Sequence, residues 1–192
     1  MPHIVLASKS PRRHELLRRM GITDFSVVVP EVEESYPEGL EPEEIVAHIA
    51  RLKSDAAAEL VGQEDILITA DTMVFLGAER LGKPHDEEDA FRMLTALAGN
   101  RHTVCTGVTV RQGEKVKAFT VSTDVCFREC TGEELRGYIA TGEPMDKAGA
   151  YGVQGLGALL VERIEGDYYN VMGLPVERLG QCLTKEFGIR FF

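Results

Sequence analysis

No apolar run in this chain is long enough for a helix to span a bilayer, which takes roughly 20 residues, so a helical membrane protein is excluded. The opening residues lack the charged-then-apolar pattern of a secretory signal, and a soluble, cytoplasmic protein is expected. Basic residues are in deficit: 21 Lys and Arg stand against 31 Asp and Glu, a formal net charge of −10. Proteins that bind long nucleic acids carry a basic face, and this composition argues against that class. Any site for a polyanion must therefore be local. Cysteine is sparse too. Cys105, Cys126, Cys130 and Cys182 show no paired metal-ligand spacing and read as reduced core or surface thiols. No internal repeat, low-complexity tract or Ser/Pro-rich linker divides the chain, which leaves one α/β unit as the expectation.

What is present is an alternation of strand-like and helix-like segments over 192 residues, enough for a substantial core. Ile4–Ala7, Phe25–Val29 and Ile66–Ala70 read as strands, and Pro11 to Met20 as a helix with Ser10 as its N-cap. Ile45, Val46, Ile49, Leu52, Ala56 and Leu60 trace one face of a long helix. Met73–Leu76 and Arg80–Leu81 flank a turn at Gly77, and Asp86–Leu97 is amphipathic. Thr103–Arg111 and Lys115–Arg128 meet at Gln112-Gly113-Glu114 as a hairpin. Thr131 with Glu134 makes a capping-box pattern for a helix to Ala140, Ala158–Ile164 reads as a strand, and Pro175 opens a terminal helix.

Against this background several charges are out of place. Arg12 and Arg13 fall in the first turn of their helix, the end that carries a partial positive charge, where each cation costs roughly 0.3–1 kcal/mol. Arg13 also lies within the apolar stripe of Leu16, Leu17 and Met20. An inward arginine beside exposed helix N–H groups makes sense if an anion, typically phosphate, occupies the space. The alternative is a pair of surface arginines bridging nearby acids. Lys53 repeats the anomaly, four residues after Ile49 on an apolar face. Its stem can instead snorkel outward. Leucine at this position would complete the apolar stripe and is expected to raise stability. Asp71 follows the apolar run Ile66–Ala70 and is expected to end a buried strand, the side of an open α/β sheet that faces ligand. A carboxylate there can hold Mg²⁺ or accept a proton from water, with Thr72 offering a hydroxyl, or it can simply begin a turn. Lys83, between Gly82 and Pro84, projects from an extended loop. The segment Asp146–Gly155 combines three glycines with Tyr151 and Gln154, whose amide can both donate to and accept from a base edge. It can equally be a tightly packed connection. Glu33 and Glu34 lie in an acidic loop, Glu31–Glu41, where a second metal carboxylate or a solvated face is possible.

Ser8-Lys9-Ser10-Pro11-Arg12-Arg13, Ala70-Asp71-Thr72, Gly82-Lys83-Pro84 and the run from Asp146 to Gly155, in this order over nearly the whole chain, closely resemble the Maf family of nucleoside triphosphate pyrophosphatases. The resemblance implies a fold similar to inosine triphosphatases: one domain over residues 1–192, α/β, with a long twisted mixed sheet, flanking helices and a cleft between two lobes. It implies hydrolysis of the α–β phosphate link to a nucleoside monophosphate and pyrophosphate with a divalent metal, Mg²⁺ or Mn²⁺. Asp71 matches the family's proton acceptor and metal carboxylate, and Glu33 an acidic position that helps hold the metal. Arg12, Thr72 and Gln154 match positions tied to substrate choice, and Ser8, Arg13, Lys53 and Lys83 the phosphate-contacting set. The complete Asp146–Gly155 segment looks like the branch acting on dTTP, UTP and modified pyrimidine triphosphates; the branch resembling 7-methyl-GTP pyrophosphatases lacks it and stands second. A homodimer is implied as well. A rival of another class is a nucleotide-sensing regulator of cell division without turnover, which would need the cations but not Asp71.

Overall fold

The computed structural model describes residues 2–192. Among the described residues seven strands form one mixed sheet, and the chain divides into two compact units.

The first unit comprises the residues up to Asp71, Thr106–Val121 and Gly173–Phe192. Strand β1, Ile4–Leu6, is buried throughout and pairs in parallel with β2, Phe25–Val27, and with β3, Ile66–Leu76. Strands covered on both faces read as unbroken apolar runs, which is why Ile-Val-Leu and Ile-Leu-Ile stand opposite each other. Helix α1, Pro11–Arg19, starts as its sequence dictates: Pro11 takes the first position and Ser10 Oγ accepts from the Arg13 N–H. Leu16 and Leu17 are fully buried. Helix α2, Pro42–Ala57, has a capping box between Glu41 and Glu44 and buries Ile45, Val46, Ile49 and Ala50. It stops short of the expected stripe, passing into a 3₁₀ turn at Ala58–Leu60, and Leu60 is 55% exposed. Two contacts seat α2 on the sheet. Thr69 Oγ1 of β3 donates to Ala50 O at 2.8 Å, and Gly107 of β5, Arg101–Gln112, lies so close to α2 that a Cβ there would collide with the Val46 backbone. The last helix of the chain, Val176–Phe187, buries Leu179 and Leu183 and closes on Gly188 at φ +71°.

The second unit comprises Thr72–Cys105 and Ser122–Met172. Here β3 continues, turns at Gly77 (φ +59°) and returns as β4, Glu79–Leu81, with Leu76 opposite Glu79. Helix α3, Glu87–Leu97, is capped by Asp86, which accepts from the Asp89 N–H at 2.8 Å. The end of β6, Lys115–Phe127, pairs antiparallel with β7, Val161–Glu165, through a bulge at Cys126/Phe127. Helix α4, Gly132–Ile139, has the capping box read from Thr131 and Glu134. A short helix α5, Tyr168–Met172, buries Asn170, whose amide donates to Val104 O and Thr123 Oγ1, both at 3.0 Å. With that, the terminal helix Val176–Phe187 is α6.

Besides the early end of α2, two elements depart from the sequence reading in a way that bears on the site. Strand β3 does not end at Asp71. It runs on through Thr72 to Leu76, because the Asp71 carboxylate has a cationic partner that lets a charge sit inside a buried strand. The expected strand at Ala158–Ile164 is a 3₁₀ turn, Leu156–Leu160, followed by β7, since the glycine-rich loop needs those residues to close on itself.

Candidate active site

In the first unit, Ser8 and Lys9 follow β1, Arg13 stands in the first turn of α1, Lys53 near the end of α2 and Asp71 midway along β3. Ser8, Lys9, Arg13, Glu34 and Lys53 line a pocket of about 260 Å³, floored by Ala7 and Ala70 and walled by Val29, Pro30 and Val32. That is below the range of about 300–1,000 Å³ usual for whole-ligand sites and ample for a phosphate group. Three cations thus converge on one pocket of an acidic protein.

Arg13 is directed inward, as its place on the wheel requires. Its Nε donates to Gly173 O at 2.7 Å, and Nη1 donates to Ala70 O at 3.0 Å and Ser8 Oγ at 3.3 Å. Two carbonyls and a hydroxyl so fix the planar fork, which leaves the guanidinium little freedom to collapse when an anion departs. Burial pulls its pKa below the ordinary arginine value, with Asp71 opposing and Arg12 reinforcing the shift. The Ser8 hydroxyl also accepts from the Ser10 N–H at 3.2 Å, tying the loop after β1 to the start of α1. Arg12 is half-buried beside it.

Lys53 does not snorkel. Its side chain is 16% exposed, and Nζ lies 2.7 Å from Asp71 Oδ1 and 2.9 Å from Glu34 Oε1. The local fold explains the meeting: Thr69 anchors α2 at Ala50, and Asp71, two residues further along β3, faces the same side as Thr69, within reach of a side chain three residues beyond Ala50. Asp71 is buried, and its second oxygen, Oδ2, accepts no hydrogen bond from the protein. Glu34 lines the pocket; Glu33 is exposed and does not. The residues alone leave Glu33 and Glu34 open and the family resemblance points to Glu33; its neighbour is set apart by lining the pocket and by the ion pair to Lys53. Among the described residues no group of three or more His, Cys, Asp or Glu gathers as a ready-made metal cage.

In the second unit, Thr72 is half-buried on β3, and Lys83 and Gln154 are exposed. The loops carrying the last two are joined: the Gly149 N–H donates to Gly82 O at 3.1 Å. Gly149 (φ +72°) and Ala150 (φ +60°) turn the chain in the left-handed region, and a Cβ on Gly149 would press on the Val74 side chain. Tyr151 is buried against His102 and Phe127, its hydroxyl 2.7 Å from His102 Nε2. Gln154 follows on a tight turn from Gly152 to Gly155.

Residues 3–186 match the family described as Maf-like protein. The chain is 50% identical over 185 residues to a dTTP/UTP pyrophosphatase of Dictyoglomus thermophilum, covering 95% of each. It is 48% identical over 177 residues to a dTTP/UTP pyrophosphatase of Bacteroides fragilis, covering 92% of each. Among solved structures, a HAM1 protein from Coxiella burnetii superposes with a TM-score of 0.52 over 96% of this chain and 100% of that one, at 14% identity, a likeness of fold alone.

Proposed function

The chain belongs to the Maf-like family, and on that premise we propose that it hydrolyses dTTP and UTP, and modified pyrimidine triphosphates, to the nucleoside monophosphate and pyrophosphate. The observation that carries this reading is the pocket of Arg13, Lys53 and Lys9 in a protein of net charge −10, with a buried carboxylate tied to one of its cations. Those cations would neutralise a phosphate chain that the rest of the molecule repels. Ser8 and Arg13, bonded to each other, would present a fixed donor array to the phosphate oxygens. Asp71, held by Lys53 through Oδ1, would orient the attacking water and accept its proton. In the second unit the same reading gives Lys83 to the phosphates, Thr72 and Gln154 to substrate choice, and in the first it adds Arg12.

A hard divalent cation fits this donor set. Mg²⁺ characteristically keeps several waters and takes one or two carboxylates together with substrate phosphates, so a full protein cage is not needed. Asp71, through its unpartnered Oδ2, and Glu34 or Glu33 from the acidic loop would hold it. When bound it would supply neutralisation of charge on the phosphate oxygens. A homodimer belongs to the same reading and is tested by sedimentation.

Pyrophosphate release measured across standard and methylated nucleoside triphosphates tests the reading. The expected result is turnover of dTTP and UTP that stops on chelation and returns with Mg²⁺ or Mn²⁺. Asp71→Asn should keep nucleotide binding and lower kcat by about 10²–10⁴-fold. Binding without turnover in the native protein would favour a sensor, and preference for 7-methyl-GTP would overturn the branch assignment.

A further inference from the structure

Outside the phosphate pocket, one carboxylate of the second unit makes more hydrogen bonds than any surface role requires. Glu143, half-buried after α4, accepts from the Gly157 N–H through Oε1 at 2.9 Å and from the Leu156 N–H through Oε2 at 2.9 Å. Oε1 also accepts from the Tyr138 hydroxyl at 2.8 Å, and that hydroxyl in turn accepts from the Gly152 N–H at 3.1 Å. The two side chains therefore grip the segment 152–157 at both ends, and Gln154 lies between the grips. The glycines record the closeness of the contact. A Cβ on Gly155 would collide with the Glu143 carboxylate, and one on Gly157 would lie 2.6 Å from the Tyr138 hydroxyl. This gives the glycine-rich segment a reason beyond turn geometry: side chains there would push the clamp away. Burial alone would raise the Glu143 pKa, but the N–H groups of Gly157 and Leu156, with Tyr138 and Lys147, hold it below the ordinary glutamate value. The carboxylate is thus kept ionised, the form in which both oxygens accept.

We infer that Glu143, assisted by Tyr138, is a positioning residue for base choice, fixing the loop that presents Gln154. The inference rests on the assignment of Gln154 to base recognition. An exposed glutamine on a loose loop samples many orientations and discriminates weakly between donor patterns; one on a loop clamped at both ends presents its amide in a single sense, so a mismatched base edge leaves polar groups unpaired. Glu143 touches neither phosphates nor water in this scheme, so its loss should show in discrimination before it shows in the chemical step.

The test compares Glu143→Ala, Glu143→Gln, Tyr138→Phe and Gln154→Ala in kcat/KM for UTP against CTP and the purine triphosphates, with amide hydrogen exchange at Gly152, Leu156 and Gly157. Glu143→Ala should lower the UTP preference about tenfold, chiefly through KM, and speed exchange at Leu156 and Gly157. Glu143→Gln keeps the shape and one acceptor and should fall between wild type and alanine, which keeps the inference open to refutation if the alanine variant does not fold. Adding Glu143→Ala to Gln154→Ala should cost no further discrimination, since both act through one group. An equal fractional loss on every triphosphate in the Glu143 variants, with Gln154→Ala selective, overturns the inference alone. Unchanged selectivity in Gln154→Ala overturns the base-reading assignment and this inference with it.

Discussion

At the scale of single residues, the most consequential pairing is Lys53 with Asp71. Its anomaly was legible: a lysine on the apolar face of an amphipathic helix and a carboxylate beside a buried run are each visible in the sequence. Their mutual contact was not, because nothing in either segment states that α2 crosses β3 at that height. The contact reverses one expectation. Read from the helix alone, leucine at position 53 would extend the stripe of Ile49 and Ala56 and stabilise the fold. With Nζ 2.7 Å from Asp71 Oδ1, leucine leaves a buried carboxylate with neither oxygen engaged. Breaking a buried pair from one side costs about 3–5 kcal/mol, whereas removing both charges can be nearly neutral. Lys53→Leu should therefore destabilise by about 3 kcal/mol, and Asp71→Asn in the same chain should restore much of the loss. Urea denaturation of both single variants and the double variant decides the matter; a Lys53→Leu protein as stable as wild type would mean that the Asp71 charge is compensated elsewhere. The same limit explains Glu33 and Glu34. Adjacent acids in an irregular loop carry no periodicity, so no sequence signal chooses between them.

At the scale of elements, the site in the first unit depends on how closely α2 lies on the sheet, and Gly107 sets that distance. A methyl group there meets backbone atoms of Val46 and Ala47, which cannot rotate away as a flexible side chain would. Gly107→Ala should cost about 3 kcal/mol through overpacking and raise KM for triphosphate, since α2 carries Lys53. Gly137 in α4 is the internal control: nothing lies within 4 Å of its would-be Cβ, so Gly137→Ala should stabilise by about 0.5–1 kcal/mol through helix propensity. Equal effects at the two positions, read from denaturation midpoints, would remove close packing as the reason for Gly107. Most elements were legible because their signals are local: Ser10 and Pro11 start α1, Thr131 and Glu134 cap α4, and Gly113 (φ +54°) turns the β5–β6 hairpin. The misread elements depend on distant partners. Strand β3 crosses a charged residue because Lys53 arrives from another helix, and Leu156–Leu160 is drawn into a 3₁₀ turn beside the N–H groups held by Glu143. The role of Glu143 was hidden for the same reason.

At the scale of the whole molecule, alternation of segments indicated an α/β sheet and the family resemblance two lobes, but where the chain divides did not show, because the first unit is assembled from three separated stretches. Acid stability belongs to this scale, since it sums protons over the folded chain. Arg136 hydrogen-bonds Glu88, Arg128 hydrogen-bonds Glu134 and Lys117 hydrogen-bonds Glu186, holding each carboxyl below the ordinary glutamate value. Such groups stabilise the fold above the unfolded pKa and lose that contribution as pH falls through the folded one; being exposed, they add little. His102 acts earlier in the titration. It is 2% exposed, its Nε2 is engaged with Tyr151, its Nδ1 has no partner, and burial lowers its pKa from 6.5 to about 4 against a weaker opposing effect of Asp124. Between those values the unfolded chain binds a proton that the folded chain refuses, so stability is greatest above the unfolded pKa and declines as pH falls toward the folded one. By pH 4.5 the loss should reach about 2–3 kcal/mol. His102→Gln, which retains a hydrogen-bonding amide toward Tyr151 and does not titrate, should lower stability at pH 7 but flatten its dependence between pH 7 and 4.5. Urea midpoints for both proteins across that range give the comparison, and parallel curves would assign the acid sensitivity to the carboxylates and leave His102 without a part in it.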